Sequence, residues 1–150
     1  MTDRQDEIST LNTLISTLID SITGYEDAAA NSEAGRFAQI FRERAGERQR
    51  VVEDLRAEVR RLGGDPEDGG SFMGKTHQRF LDLKAAITGR DDKAIINEVE
   101  RGEDYLKSKF ENALESGKLS GESRAAVERC YQSVRAGHDQ MSALKHGMEA

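Results

Sequence analysis

The sequence has little of what disulfide-rich, zinc-cluster or membrane proteins need. Its 150 residues include one cysteine, one proline and no tryptophan. A single cysteine excludes an internal disulfide framework and any zinc site built on several cysteines. No apolar run approaches the roughly 18 residues of a membrane span, and the opening MTDRQDEIST does not resemble a signal peptide. We therefore expect a cytoplasmic protein outside the membrane.

The charge balance limits the partners further. Acidic residues outnumber basic ones and give a net charge of −6, which opposes broad binding to nucleic acid or to anionic membranes. The length fits one domain over residues 1–150. A chain of this size buries about 68–70% of its unfolded surface, enough for a core without disulfides.

Apolar residues recur every three or four positions, which is typical of amphipathic helices, and no strand pattern interrupts them. The spacing predicts a first helix over about 6–30 and a second, capped by Ser32, that runs to Leu62. Gly63-Gly64 ends the second helix. A third helix begins after Asp91 or Asp92, and a fourth begins after Ser120. We expect an all-α bundle of four long helices.

A linker of about 27 residues separates the second and third helices. It contains a short amphipathic pattern that predicts an additional helix, with Phe72, Phe80, Leu83 and Ile87 on its apolar side. Such a linker can return the chain along the bundle, which is the one-crossover plan of ferritin-like proteins. The second and third helices would then be parallel.

Several charged residues fall where the helical period predicts the core. Glu103 lies between Val99 and Leu106, and His138 lies between Val134 and Met141. The remaining members of the set are Arg44 and Arg48, which continue the stripe of the second helix, and Glu26 and Glu47, which lie at stripe edges. With a rise of about 1.5 Å per residue and a ferritin-like crossover, most of them reach one level of the bundle.

These residues support two interpretations. Carboxylates and an imidazole suit iron, manganese or zinc, so Glu103, His138, Glu26 and Glu47 are candidate metal ligands. A complete di-iron site needs two Glu-x-x-His motifs, and here Arg50 and Arg135 break both of them. The other interpretation is a buried ion-pair network in which Arg44, Arg48 and His138 compensate Glu103 and Glu26.

Segments covering nearly the whole chain resemble a known family. The segments are 11–29, 41–114 and 127–144, and the most specific pieces are RERAGER at 42–48, GGDPEDGGS at 63–71 and ERGED at 100–104. They resemble the bacterial ferritin-like four-helix-bundle proteins known as domain of unknown function 2383. The resemblance implies a ferritin-like bundle distantly similar to rubrerythrin. It implies no activity, and a stress-related role only by analogy.

The sequence favours a stress-related structural or interaction protein that catalyses no reaction. We accordingly expect no catalytic residue, no cofactor and no cofactor-binding residue. The alternative is a degenerate metal protein that binds iron, manganese or zinc and handles peroxide. A helical adaptor for a protein partner is a third class, and a homo-oligomer is a further option. Cys130 lies on the apolar stripe of the fourth helix, so we expect a buried, inert thiol.

Overall fold

A computed structural model describes residues 3–32, 35–68 and 92–149 of the chain. These residues form four α-helices and no β-strand: α1 (Arg4–Asn31), α2 (Gly35–Arg61), α3 (Asp92–Glu115) and α4 (Gly121–Glu149). The all-helical fold predicted from the sequence is confirmed. The predicted short helix, with Phe72, Phe80, Leu83 and Ile87, lies outside the described residues. None of the described helices combines the length and the apolar content needed to cross a bilayer.

Local side-chain chemistry sets the helix ends. The Asp3 carboxylate accepts a hydrogen bond from the Gln5 amide at 2.9 Å and caps α1. α2 ends at a left-handed Gly63 (φ +83°), with Gly64 N–H donating to the Val59 carbonyl, as the Gly-Gly pair predicts. The Ser32 hydroxyl donates to the Ala28 carbonyl and thus completes the end of α1. Its cap on α2 stays a prediction, because residues 33 and 34 lie outside the described residues.

Side-chain pairs between the helices give their directions. On α2 and α4, Arg44 contacts Gln140 whereas Arg61 contacts Ser123, so these two helices are antiparallel. Residues of α3 and α4 pair in the same opposite order, from Glu100 with Lys145 to Glu111 with Tyr131. α2 and α3 are therefore parallel, as predicted. An up-and-down bundle is excluded, and Arg61 and Asp92 lie at opposite ends.

The four helices enclose one apolar core. Helices pack as the pairs α1–α2, α3–α4, α1–α3 and α2–α4, which places α2 and α3 on a diagonal. The predicted apolar stripes are buried almost throughout: Leu11, Ile15, Leu18, Ile22, Phe41, Val52, Leu55, Val59, Ile96, Val99, Leu106, Phe110, Val127, Val134 and Met141. Cys130 is buried among them. Burial raises the pKa of its thiol to about 12, so little nucleophilic thiolate forms at neutral pH.

The first residues after α2 turn back along the bundle. The Asn12 side chain donates to the Asp65 carbonyl at 3.1 Å and accepts from the Glu67 amide at 2.8 Å. Arg56 donates twice to the Glu67 carbonyl. Ile8 lies so close to Gly64 that an added Cβ would come within 2.8 Å of it. These contacts hold the start of the connection against α1 and α2.

Candidate functional site

The centre of the bundle contains a buried, bidentate ion pair. Arg48 on α2 donates from Nη1 to Oε1 of Glu103 at 2.8 Å and from Nη2 to Oε2 at 2.6 Å. The side chains are 0% and 2% exposed, respectively. Burial acts to lower the pKa of Arg48, but the Glu103 carboxylate outweighs it and leaves that pKa above its ordinary value. Arg48 therefore keeps its charge, and the pair spans the α2–α3 diagonal.

Arg48 also contacts the other two helices. Its Nη1 donates to the Ser21 hydroxyl of α1 at 2.9 Å. Its guanidinium carbon lies 5.7 Å from the centre of the Tyr25 ring, within the range of a cation–π contact. A Cβ built on Gly137 of α4 would come 2.3 Å from Nη2 of Arg48 and 3.1 Å from Oε2 of Glu103. One side chain thus fixes the spacing of all four helices at this level.

Tyr25 belongs to the same layer. Its ring packs against Phe41 with centroids 5.9 Å apart. The Tyr25 hydroxyl is buried, and it has no hydrogen-bond partner of normal geometry among residues 3–32, 35–68 and 92–149. Burial, together with the nearby Glu103 carboxylate, raises the pKa of Tyr25 well above its usual value, so the phenol is neutral.

A second polar group lies beside the ion pair, between α2 and α4. Arg44 donates to Oε2 of Glu47 at 2.8 Å and to the Gln140 side chain at 2.7 Å. The Ser133 hydroxyl makes a short hydrogen bond to the other Glu47 oxygen. Glu47 is thus held by Arg44 and Ser133, and it is half-buried.

His138 lies at the outer edge of the α3–α4 contact. Its Nε2 lies 2.5 Å from Asp104 on α3, and its Nδ1 lies 3.2 Å from Asp139. Partial burial acts to lower the pKa of His138, but the bonds to Asp139 and Asp104 prevail and raise it. The imidazole is therefore engaged by two surface carboxylates on opposite sides of the ring, and these contacts do not include Glu103.

The structure brings together only part of the predicted set. Glu103 meets Arg48, and Arg44 meets Glu47, while Glu26 is exposed on α1. In residues 3–32, 35–68 and 92–149, no three His, Cys, Asp or Glu side chains are grouped so that they could hold a metal ion. Metal binding by Glu103, His138, Glu26 and Glu47 stays a prediction.

Three contributors to the charged layer were not found from the sequence. Ser21 and Tyr25 were assigned to α1 without a polar role, and Gly137 carried no signal beyond being a glycine inside a helix. A helical glycine opposite a buried arginine is the pattern that could have indicated the close approach.

Comparison with known proteins places the chain in a family. A family model described as a domain of unknown function, DUF2383, matches residues 6–116. The chain belongs to this family. No curated protein matches the sequence. The family match covers α1 to α3, with both partners of the ion pair. α4, which supplies Gly137, lies outside it.

The ion pair predicts the response to substitutions at Glu103. Glu103→Ala leaves the buried Arg48 guanidinium unpaired and is expected to lower the free energy of unfolding by about 3–5 kcal/mol. Glu103→Gln should cost less, because the amide oxygen still accepts a hydrogen bond. Urea denaturation measures both. The control is Glu26→Ala, at an exposed position of α1, which should stay within about 0.5 kcal/mol of the wild type. Equal losses at positions 103 and 26 would contradict the buried pair.

The close approach of α4 predicts a contrast between two helical glycines. Gly137→Ala forces the Arg48 head group away from Glu103 and should lower stability by about 1–3 kcal/mol. Gly102→Ala, where an added Cβ meets nothing within 4 Å, should raise it by about 0.5–1 kcal/mol. Denaturant unfolding of the two variants measures the difference. If Gly137→Ala left the free energy of unfolding unchanged, the close approach of α4 to the Arg48 head group would be contradicted.

The raised pKa of His138 predicts a pH dependence of stability. Its value in the unfolded chain is about 6.5, and the folded value is higher. His138 therefore stabilises the fold fully below about pH 6.5 and loses this contribution as the pH rises through the folded pKa. The difference in unfolding free energy between wild type and His138→Gln should therefore shrink as the pH rises from about 6.5 through the folded pKa of His138. His146→Gln, at an exposed site of α4, is the control. A difference that is constant with pH would rule out the charged imidazole.

Proposed function

We propose that this chain is a non-enzymatic, cytoplasmic, ferritin-like bundle whose Arg48–Glu103 pair stands where metal-binding bundles of that type hold their ions. The single observation that carries the proposal is the bidentate bond between the two side chains. The resemblance of the sequence to ferritin-like proteins supports the relation and is the basis of a stress-related role.

The ion pair argues against a metal at Glu103 on chemical grounds. Both Glu103 oxygens already accept short bonds from Arg48, and the guanidinium is a fixed positive charge that repels a cation. To bind there, a metal would have to displace Arg48 and leave that charge unpaired in the core. The cost of an unpaired buried charge is several kcal/mol.

The other positions of the di-iron pattern also depart from a metal site. Arg50 and Arg135, which replace a histidine and a glutamate of the pattern, are exposed. The His138 nitrogens are directed to Asp104 and Asp139. Within this layer the carboxylates are compensated without an ion, because Glu47 pairs with Arg44 and Glu103 pairs with Arg48.

The competing function is a degenerate metal protein that binds iron, manganese or zinc and handles peroxide. It is favoured by the half-buried Glu47, which lies in the same layer as Arg48 and Glu103 and could serve as a ligand on rearrangement.

Thermal melts separate the two functions. A metal ion that binds the folded protein raises its melting temperature. Because we propose that none binds, we expect no change in melting temperature when iron, manganese or zinc is added to chelator-treated protein. Glu103→Ala and His138→Ala serve as matched variants. A wild-type increase that both variants abolish would establish the metal protein and overturn the ion-pair proposal. For the stress role, a deletion strain should survive stationary phase and peroxide less well than its parent, and equal survival would refute it.

A further inference from the structure

The outward face of α2 carries exposed residues at a regular helical spacing. Residues Glu43, Gly46, Arg50, Glu53, Ala57 and Arg60 follow each other at intervals of three and four, and all are exposed. We call these six residues the outer stripe. They lie on the side of α2 opposite Arg48, and they extend over about 26 Å at 1.5 Å per residue.

The outer stripe is complementary to its own reverse. Along the helix the six residues are acidic, small, basic, acidic, small and basic. In the reverse direction the small residues keep their places, and each acidic position becomes a basic one and the converse. Two antiparallel copies of α2 would place Arg50 opposite Glu53 of the partner subunit. They would also place Glu43 opposite Arg60 of the partner subunit, and Gly46 opposite the partner's Ala57. A two-fold axis repeats each pairing, which gives four ion pairs and two small–small contacts.

The surroundings of Gly46 are an independent observation. An open hollow of about 780 Å³ lies over this residue, lined among others by Gln49, Arg50, Asp54 and Ser133. A Cβ at Gly46 would meet no atom of the described residues within 4 Å, so no contact among those residues requires a glycine there. A glycine inside a helix costs about 0.5–1 kcal/mol relative to alanine. Close approach of a second helix backbone would offset that cost.

From these observations we propose that the outer stripe of α2 is the interface of an antiparallel homodimer. The occupant is a second copy of this chain, because only a copy presents the same charges in reverse order. Arg56 already donates to Oε1 of Glu53 at 2.7 Å within one chain, and a carboxylate accepts from two guanidinium groups. The arrangement also brings Glu47 towards Asp54 of the partner subunit, but Arg44 and Ser133 already hold the Glu47 carboxylate.

The interface is polar and its ion pairs are exposed, so the association is weak and is measured over a concentration series. Sedimentation equilibrium of the full chain should show a monomer–dimer equilibrium. Arg50→Glu and Glu53→Arg each put like charges opposite one another twice, and each should weaken the dimer by about tenfold. The double variant restores opposite charges in the antiparallel register and should recover the wild-type association constant. Lys118→Glu, in the exposed turn before α4, is a control with the same change in net charge as Arg50→Glu.

A pair of glycine variants tests the close approach. Gly46→Gln should abolish the dimer without loss of helicity or thermal stability, since Gly46 is exposed and a Cβ there meets no atom of the described residues within 4 Å. Gly102→Gln, at a helical glycine of α3 whose Cβ would also meet nothing within 4 Å among the described residues, should leave the dimer intact. A monomer at every concentration overturns the proposal. A dimer whose association constant is unchanged by Arg50→Glu and by Glu53→Arg also overturns it. If both single variants weaken the dimer and the double variant does not restore it, the antiparallel register is excluded.

Discussion

The fold depends on the requirement that a guanidinium buried at the centre of a helical bundle must find a carboxylate. Arg48 is fully buried, and Glu103 meets it with two short bonds across the diagonal. The remaining neighbours are adapted to its head group, since Ser21 accepts a further bond and Gly137 leaves it space. One side chain thus reaches all four helices at one level of the bundle.

An ion pair of this kind is not explained by stability alone. Replacing a buried pair by apolar side chains of similar volume is often neutral or stabilising, whereas removing one partner is costly. The pair therefore separates the correct arrangement of helices from incorrect ones. If α3 shifted by one residue, Arg48 would be buried without Glu103. We accordingly regard the register of α3 against α2 as specified by the ion pair, and their parallel arrangement as permitted by the long connection.

The apolar periodicity was sufficient to predict the helices, because a residue at the centre of a wide apolar stripe is buried however the helix rotates by a few degrees. The parallel α2 and α3 followed from linker length. Residues at stripe edges were harder to place, since a small rotation moves them from core to solvent. Glu26 is exposed for this reason, and His138 turns to Asp104. The Ser32 hydroxyl can close one helix and cap the next, and composition does not distinguish these roles.

Gly137 shows what a helical pattern cannot contain. Gly137 lacks a side chain at the point where Arg48 and Glu103 approach α4, and that point exists only once α2, α3 and α4 are assembled.

The Arg48–Glu103 pair also bears on the proposed relation to metal-binding bundles. A carboxylate in a bundle core needs a compensating cation, and either a bound metal or an arginine of the chain can supply it. Arg48 supplies that charge covalently, so the positive charge beside Glu103 is present whether or not metal is available. On the proposed function, the layer keeps the charge balance of a metal centre without depending on an ion.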